Sequence, residues 1–331
     1  MPRRNLCPEG WTCVKARGWS SFLVPLVLVS VLALAGCGAA AKPVSTAVQF
    51  KDDAGSVITL KAPVTRIVTL GPSDTEIVLA LGLKKDLVGA DAASFQYLPA
   101  SYEAQLKGVQ NVGNALTTPN LEAIRSAHPG LVLVVYGAPY VAKIKALGIP
   151  VAVLDPTTVA QIMGDIKDVG LATGNAAAAT SLTAKIGSQI NAIAKAAKAA
   201  GPAVSTFVEL NPPPTLYTVG PGSYIDQLVS LAGGVNVVDK ISHSAYPEVS
   251  SEQVIAADPQ VIILQDQGFG GSVQGVASRP GWSAISAVKN GRIVSSVDPN
   301  LLSNPGPSVV EGLLELAQAL HPGLTVPGVS P

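Results

Sequence analysis

Cysteine is rare in this chain and absent from most of it. The three cysteines among the 331 residues are Cys7, Cys13 and Cys37, all close to the N-terminus. The rest of the chain therefore has no disulfide, no thiolate metal ligand and no cysteine nucleophile. This remainder is nevertheless long enough to bury a stable core without covalent crosslinks.

Histidine is equally scarce. The three histidines are His128, His243 and His321, which lie far apart in the sequence. A zinc or manganese site needs several convergent ligands, so the sequence argues against a binding site for such an ion.

The chain contains no glycine-rich loop of the kind that holds a phosphate. The segment RIVTLGPSDTEIVLALG, residues 66–82, predicts a buried strand, a tight turn and a helix, as in many nucleotide-binding units. Ser73 and Glu76 have the spacing of a capping box at the start of this helix, and Gly82 fits its C-terminal end. The turn offers a single glycine followed by a proline, which has no amide hydrogen, so a phosphate site is not expected.

Neither sign of charge is in excess. The chain has 22 basic and 22 acidic residues, of which four basic and one acidic lie within the first 37, so the remainder carries a net charge of −3. A surface of this kind gives no reason to expect nucleic acid as a partner.

Only one hydrophobic run is long, and it lies near the N-terminus. FLVPLVLVSVLALA, residues 22–35, follows several basic residues; it is too short to span a bilayer as a helix but suits the core of a signal peptide. LAGC, residues 34–37, looks like a bacterial lipobox, which predicts a lipoprotein signal peptide over 1–37 and lipidation of Cys37. Residues 38–55 are predicted to form a tether.

The rest of the chain contains an internal repeat of strand and helix units. Predicted strands alternate with helices, which indicates an α/β fold with parallel-rich sheets. LEAIRSAHPGLVLV, residues 121–134, matches SEQVIAADPQVIIL, residues 251–264, at a constant offset of 130 residues. Two further pairs of strand and helix units recur in the same order, which predicts similar lobes over 56–160 and 202–322, followed by a tail over 323–331.

A linking segment over 161–201 separates the two predicted lobes. Its alanine-rich part predicts one long helix over about 175–200, and Gly201-Pro202 ends it. Apolar residues recur on one face at helical spacing and are expected to pack on both lobes. These residues are Leu182, Ile186, Ile190 and Ile193.

Several segments together resemble the cobalamin and ferric-siderophore class of substrate-binding proteins of ABC importers. They are residues 66–82, TTPNLEAI with HPGLVLV in 117–134, AGGVNVV at 232–238, and VSSEQVIAADPQVIIL at 249–264. The turn NPP at 211–213 and the pair Tyr246-Pro247 are most similar to the cobalamin-binding members. The resemblance implies two Rossmann-like lobes joined by one long rigid helix, with a ligand cleft between the lobes.

The resemblance also predicts which residues line that cleft. The turn of Gly71, Pro72 and Ser73 lies at the carboxyl end of a strand, where α/β proteins usually place ligands. Aromatic side chains in predicted loops can stack on a large flat ligand, and Tyr246 matches a position where the class has an aromatic contact. The predicted aromatic contacts are Tyr97, Tyr136, Tyr217, Tyr246 and Phe269. Trp282, at a helix start, is expected to be structural.

The ligand is less well specified than the class. Arginine is scarce beyond the first 37 residues, and only Arg279 has no evident structural place. Because anionic chelates pair with arginine, this scarcity leaves neutral hydroxamate chelates and corrinoids. The resemblance favours a corrinoid, and the alternatives are a ferric hydroxamate or a haem with His243 as an axial ligand. No cofactor is expected.

Glu122 and Glu252 occupy equivalent positions in the two predicted lobes. A carboxylate near a helix start is favoured by the helix dipole, which is a sufficient reason for either residue alone. In the resembled class the matching glutamates dock onto the permease, so the implied partner is a permease dimer with its ATPase. The resemblance thus implies a monomer outside the cytoplasm that is anchored to the membrane by lipid at Cys37.

An enzyme on a similar scaffold, such as a chelatase, is the competing interpretation. The chain has no G-x-S-x-G nucleophile elbow and no carboxylate pair beside a histidine. Asp266 and Asp298 follow predicted strands and are candidates for the cleft, but aspartates at such positions commonly cap turns. An adhesive lipoprotein without a ligand is the alternative that is not an enzyme. We therefore expect no catalytic residues.

Overall fold

The computed structural model describes residues 47–329, which lie within one compact unit. The predicted signal peptide over 1–37, including Cys37, lies outside the described residues. Among the residues described, no helix combines the length and apolar character needed to cross a membrane.

Strands and helices alternate through the first lobe as predicted. The strands are β1 (Val48–Lys51), β2 (Val57–Leu60), β3 (Ile67–Leu70), β4 (Leu87–Ala90), β5 (Gln110–Asn111), β6 (Gly113–Asn114), β7 (Thr118–Pro119), β8 (Leu131–Val134) and β9 (Val151–Val153). The helices are α1 (Pro72–Ala80), α2 (Ala92–Tyr97), α3 (Ala100–Glu103), α4 (Leu121–Ser126) and α5 (Val141–Ala146).

The linking segment contains two helices and leads into the second lobe. The helices are α6 (Val159–Ala172), α7 (Ala176–Ala200), α8 (Tyr224–Leu231), α9 (Ser251–Ala257), α10 (Val273–Ala277), α11 (Ser286–Lys289), α12 (Pro299–Leu302) and α13 (Val309–Leu320). The strands are β10 (Val204–Asn211), β11 (Tyr217–Thr218), β12 (Gly234–Asn236), β13 (Val261–Leu264) and β14 (Ile293–Val294).

Each lobe is built on its own sheet. The N-terminal sheet has the order β5-β4-β3-β8-β9, with all neighbours parallel. The C-terminal sheet has the order β11-β10-β13-β14; β12 also pairs with β10, and only β11 is antiparallel to its neighbour. The strands β3, β8 and β13 are buried along their whole length, as expected for parallel strands covered by helices on both faces. The predicted α/β fold with two parallel-rich lobes is confirmed.

The helix α7 confirms the predicted long helix. Its 25 residues span about 38 Å. Ile186, Ile190 and Ile193 are buried, and Leu182 is partly buried against the same core. The helix packs against α6, which contacts α1 of the first lobe, and against α8 and α13 of the second lobe.

The tether predicted over 38–55 is wrong at its C-terminal end. Residues Val48–Lys51 form β1, which pairs with β2, and Val48 and Phe50 are buried in the core. The alternation of buried and exposed residues in VQFK is typical of a strand with one covered face.

The capping box predicted for Ser73 and Glu76 is also wrong. The helix α1 begins at Pro72 with Gly71 as its N-cap, which places Ser73 inside the first turn. Proline is well suited to the first helical position because its φ is already helical and its missing N–H needs no partner. A capping box does occur in α9, where Ser250 and Gln253 exchange bonds with each other's backbone amides.

Candidate functional site

A cavity of about 690 Å³ lies between the two lobes. The N-terminal lobe supplies residues that follow β3, β4 and β8 together with α2, and the C-terminal lobe supplies residues that follow β13 together with α12. The carboxyl ends of parallel strands leave their last peptide groups and the following loops free to contact a ligand, which explains why both sheets face the cavity with these ends.

Five of the predicted ligand-binding residues line this cavity. Gly71 and Pro72 form part of its N-terminal wall, Tyr97 and Tyr136 stand beside them, and Phe269 belongs to the opposite lobe. The side chain of Phe269 is 71% exposed, so an aromatic ring is held at the mouth of the cavity rather than packed in a core.

The other three predicted residues lie outside the lining. Ser73 is buried in the first turn of α1. Tyr217 is in β11, where it bridges to Glu248. Tyr246 is 46% exposed and is absent from the lining, and burial, and next the carboxylate of Asp155 after β9, raises its pKa. Their contact with a ligand stays a prediction.

Carboxamide side chains form most of the polar lining, and sequence reasoning missed them. They are Gln96, Gln265, Gln267, Asn300 and Asn304. Gln265 is held from three sides: its Nε2 donates to the carbonyls of Leu264 and Val297, and its Oε1 accepts from the hydroxyl of Ser303 at 3.3 Å. Asparagine and glutamine occur throughout loops, so only their convergence in space distinguishes these residues.

The cavity contains little charge. Within the described part of the chain, no lysine, arginine or histidine lines it. Its single carboxylate belongs to Asp91, whose Oδ1 accepts from the amide of Ser94 at 3.1 Å and from its hydroxyl at 2.6 Å, capping α2. Burial raises the pKa of Asp91. The cavity thus combines aromatic rings with neutral donors and acceptors.

The family model for periplasmic binding proteins matches residues 67–298. The chain belongs to this family. It is 29% identical over 321 residues to an uncharacterized ABC transporter substrate-binding lipoprotein of Bacillus subtilis, YvrC, covering 92% of this chain and 96% of that one. It is also 29% identical to a cobalamin-binding protein of Halobacterium salinarum, over 82% of this chain and 73% of that protein.

The solved structures include similar binding proteins. A periplasmic haem-binding protein of Roseiflexus, RhuT in its apo form, superposes with a TM-score of 0.69 at 28% identity, over 77% of this chain and 97% of that one. The periplasmic binding protein described here is therefore an extracytoplasmic substrate-binding protein of an ABC importer, a class of transport proteins. The predicted class is confirmed.

Arg279 of this binding protein has a structural place, contrary to the prediction. Its two terminal nitrogens each donate at 2.6 Å to one oxygen of the buried Glu209 carboxylate. Its guanidinium also lies 4.4 Å from the ring centre of Trp282. Trp282 is fully buried, in agreement with the structural role expected for it. The arginine is thus engaged beside β10 and does not line the cavity.

Neither of the candidate cleft aspartates lines the cavity of the binding protein. Asp266, directly after Gln265, is fully buried; burial and the neighbouring Glu209 carboxylate raise its pKa to about 7. Asp298 caps α12 by accepting from the amide of Asn300 at 2.8 Å. His243 is exposed and lies outside the cavity lining. Among residues 47–329, no group of three or more histidine, cysteine, aspartate or glutamate side chains has an arrangement that could hold a metal ion.

Glu122 and Glu252 occupy matching positions on the two lobes. Glu122 lies in the first turn of α4, which Asn120 caps, and Glu252 lies in the first turn of α9, which Ser250 caps. Both side chains are exposed. Hydrogen bonds to its own amide and to the Ser250 side chain hold the pKa of Glu252 below its ordinary value. Each lobe therefore presents one carboxylate at the start of a short helix.

Proposed function

We propose that the protein captures a corrinoid of the cobalamin type between its lobes and delivers it to the permease of an ABC importer. The observation that supports this ligand is the lining of the cavity, which offers aromatic rings and carboxamides without a basic residue among the described ones. A corrinoid is a large macrocycle whose edge carries neutral carboxamide groups. Amides donate to and accept from other amides, and the rings of Tyr97, Tyr136 and Phe269 suit a broad apolar face.

The relatives support the same choice. One of them is named as a cobalamin-binding protein, and the similarity extends over most of both chains. Sequence identity of this degree supports the class of protein more strongly than it supports the identity of the ligand. The chemistry of the lining is therefore the main support for a corrinoid.

Haem is the second candidate, favoured by the likeness to a haem-binding protein of known structure. Tyr97 or Tyr136 could serve as an axial ligand from within the cavity. The propionates of haem, however, lose hydration in such a site and gain most from paired cations. The lining offers neutral amides in their place. A neutral ferric hydroxamate meets no such penalty and is the third candidate.

Delivery follows from the two exposed glutamates. We assign Glu122 and Glu252 to docking on the two permease subunits, and lipidation of Cys37 to anchoring the protein at the outer side of the membrane. A monomer suffices for this arrangement, because the two lobes together offer the two similar contacts that a two-fold permease needs.

Isothermal titration of the chain from residue 38 onward tests the ligand. Cyanocobalamin is expected to bind one-to-one with a Kd of roughly micromolar or tighter, which corresponds to about −8 kcal/mol. Haemin and a ferric hydroxamate are the comparison ligands. Binding of either of these without binding of cyanocobalamin would overturn the corrinoid, and binding of none of the three would overturn the proposed function. Release of a free metal ion from the bound chelate would support a chelatase instead.

A further inference from the structure

Glu76 reaches from the N-terminal lobe to the start of a helix in the C-terminal lobe. Its Oε1 accepts from the backbone amide of Ser308 at 2.5 Å, and its Oε2 accepts from the Ser308 hydroxyl at 2.9 Å. Ser308 directly precedes α13. The amides at a helix start lack partners within the helix, so a carboxyl group of the other lobe supplies an acceptor that local sequence would normally provide.

This contact is fully enclosed. Glu76 is 0% exposed and Ser308 is 4% exposed. The chain passes so close that a Cβ atom at Gly306 would lie 2.6 Å from Oε2 of Glu76. A hydrogen bond shielded from water in this way costs more to break than an exposed one, because the separated groups stay buried.

The segment that Glu76 holds also lines the cavity. Residues 299–308 run from α12 to Ser308, and Asn300, Ser303 and Asn304 within them face the ligand space. A second bond ties the same segment to the N-terminal lobe, since Nδ2 of Asn304 donates to the carbonyl of Tyr97 at 3.1 Å. One short segment is therefore part of the binding surface and also a bridge between the lobes.

We propose that Glu76 is a positioning residue for ligand capture. By holding Ser308, it fixes residues 299–308 against the N-terminal lobe and so sets the width of the cavity at Asn300 and Asn304. The identity of the ligand rests on the proposed function, but the arrangement of the lobes does not.

The groups that face Glu76 make this bridge sensitive to pH. They are Ser308 and Glu311 on the side of α13 and Tyr102 on α3. Burial raises the pKa of Glu76 to about 8. The hydrogen bonds from Ser308 lower this pKa, and the nearby Glu311 carboxylate raises it by a smaller amount. Below this pH the carboxyl group is neutral and still accepts from Ser308. Above it, a buried negative charge faces Glu311, and the bridge is expected to loosen.

Distances between the lobes test the role of Glu76 without a ligand. The chain from residue 38 onward has no cysteine, so spin labels attached through Lys143→Cys and Lys289→Cys, both exposed in the native chain, report one distance distribution. Glu76→Ala is expected to broaden that distribution. The native chain itself is expected to show a broader distribution above about pH 8. Glu76→Gln is expected to keep the native distribution at pH 7 and to show no such broadening above about pH 8. Glu103→Gln, the same change at an exposed glutamate of α3, is the matched control and is expected to match the native chain.

Affinity for cyanocobalamin provides the second readout. Glu76→Ala is expected to bind roughly tenfold more weakly, as is typical when one partner of a buried hydrogen bond is removed, whereas Glu76→Gln is expected to bind normally at pH 7. Gly306→Ala, which would press a methyl group against Glu76, provides an independent variant if Glu76→Ala does not fold. Unchanged distance distributions in the folded variants would overturn the proposal. If the native chain does not bind cyanocobalamin, the proposed ligand is wrong, and the distances still decide the role of Glu76.

Discussion

Glu209 and Arg279 show how individual charged residues are kept away from the cavity. Both oxygens of Glu209 accept from Arg279, and the arginine also stacks on Trp282. A bidentate pair that stacks on an indole ring balances the charge of the guanidinium and fixes its position outside the cavity lining. The lack of basic residues in the lining is therefore a product of pairing as well as of composition.

Removing one member of this pair should strongly destabilise the protein. Glu209→Gln leaves Arg279 without its counter-charge in a site where the glutamate side chain is 0% exposed and the arginine side chain is 12% exposed. Breaking such a buried pair typically costs about 3–5 kcal/mol of unfolding free energy. Urea unfolding measures the change, and Arg125→Gln on the exposed face of α4 is the control, with an expected effect below about 0.5 kcal/mol. A similar loss in both variants would contradict the interpretation.

Glu76 should make stability depend on pH. Burial on folding raises its pKa from the ordinary value of 4.5 to about 8. The native state therefore holds a proton that the unfolded state releases, so the stabilisation is complete below about pH 4.5 and is lost as pH rises toward 8. Between pH 5 and 8 the unfolding free energy of the native chain should fall by as much as about 1.4 kcal/mol per pH unit from this residue alone.

Glu76→Gln should flatten this part of the curve. Asp165, with a pKa raised to about 9 by burial and neighbouring aspartates, and Asp266 contribute slopes of the same sign, so the native curve falls toward alkaline pH overall. The difference between the native chain and Glu76→Gln in urea titrations at several pH values isolates Glu76. Parallel curves for the two proteins would show that its carboxyl group does not titrate in this range.

At the scale of elements, α7 contributes an apolar stripe that joins the two lobes. Its buried residues Ile186, Ile190 and Ile193 recur at helical spacing. Its partners are α6, which contacts α1 of the N-terminal lobe, and α8 and α13 of the C-terminal lobe. The turn before α1 depends on a different property. A Cβ atom at Gly71 would lie 1.7 Å from a methyl carbon of Val135, so only glycine lets this turn pack against the residue that follows β8.

Truncation within the stripe should weaken the whole unit. Ile193 is fully buried, and Ile193→Ala is expected to lower the unfolding free energy by about 2–5 kcal/mol because it leaves a cavity in the core. Chemical unfolding followed by circular dichroism measures this change. Asn191→Ala, on the exposed face of the same helix, is the control with little expected effect. A loss below about 1 kcal/mol for Ile193→Ala would indicate that the site collapses around the smaller side chain.

At the scale of the whole molecule, the two lobes present two separate features. The strand ends of the two lobes face one another across one cavity, while Glu122 and Glu252 are exposed on helices of the two lobes. The proposed docking role can therefore be tested by mutation separately from the proposed ligand site. The stiffness of α7 leads us to expect only small movements between the lobes.

The paired glutamates should matter for uptake and not for binding. Glu122→Ala combined with Glu252→Ala is expected to keep the affinity for ligand within about twofold and to lose most transport, because the permease loses both contacts. Uptake of labelled ligand by cells carrying the double variant measures transport, and titration measures affinity. Glu103→Ala is the control at an exposed glutamate elsewhere. Normal uptake by the double variant would exclude this docking role.

Much of the fold could be predicted, but less of the site. The long helix and the two lobes were predicted from periodicity, composition and repeated units, and a structural role for Trp282 was predicted from its place at a helix start. These signals lie within short segments of the sequence. The predicted capping box failed because Glu76 has a partner 232 residues away. The prediction that Arg279 has no structural place was wrong because its partner, Glu209, lies 70 residues earlier on another element. Local patterns contain no information about such partners.

The sequence by itself determined the class of this protein, with an α/β fold of two lobes and one long helix, and it predicted the repeat of the lobes and a leader that ends in a lipobox-like cysteine. These properties can be predicted from local features of the sequence, namely the spacing of its hydrophobic residues, its turn residues and its repeated segments. The tertiary structure alone decided that five carboxamides meet around one cavity without a basic residue among the described ones, that Arg279 is paired, and that Glu76 bridges the lobes. The physical reason is that ligand contacts, charge pairing and burial depend on which distant segments meet, and this is settled only when the whole chain packs.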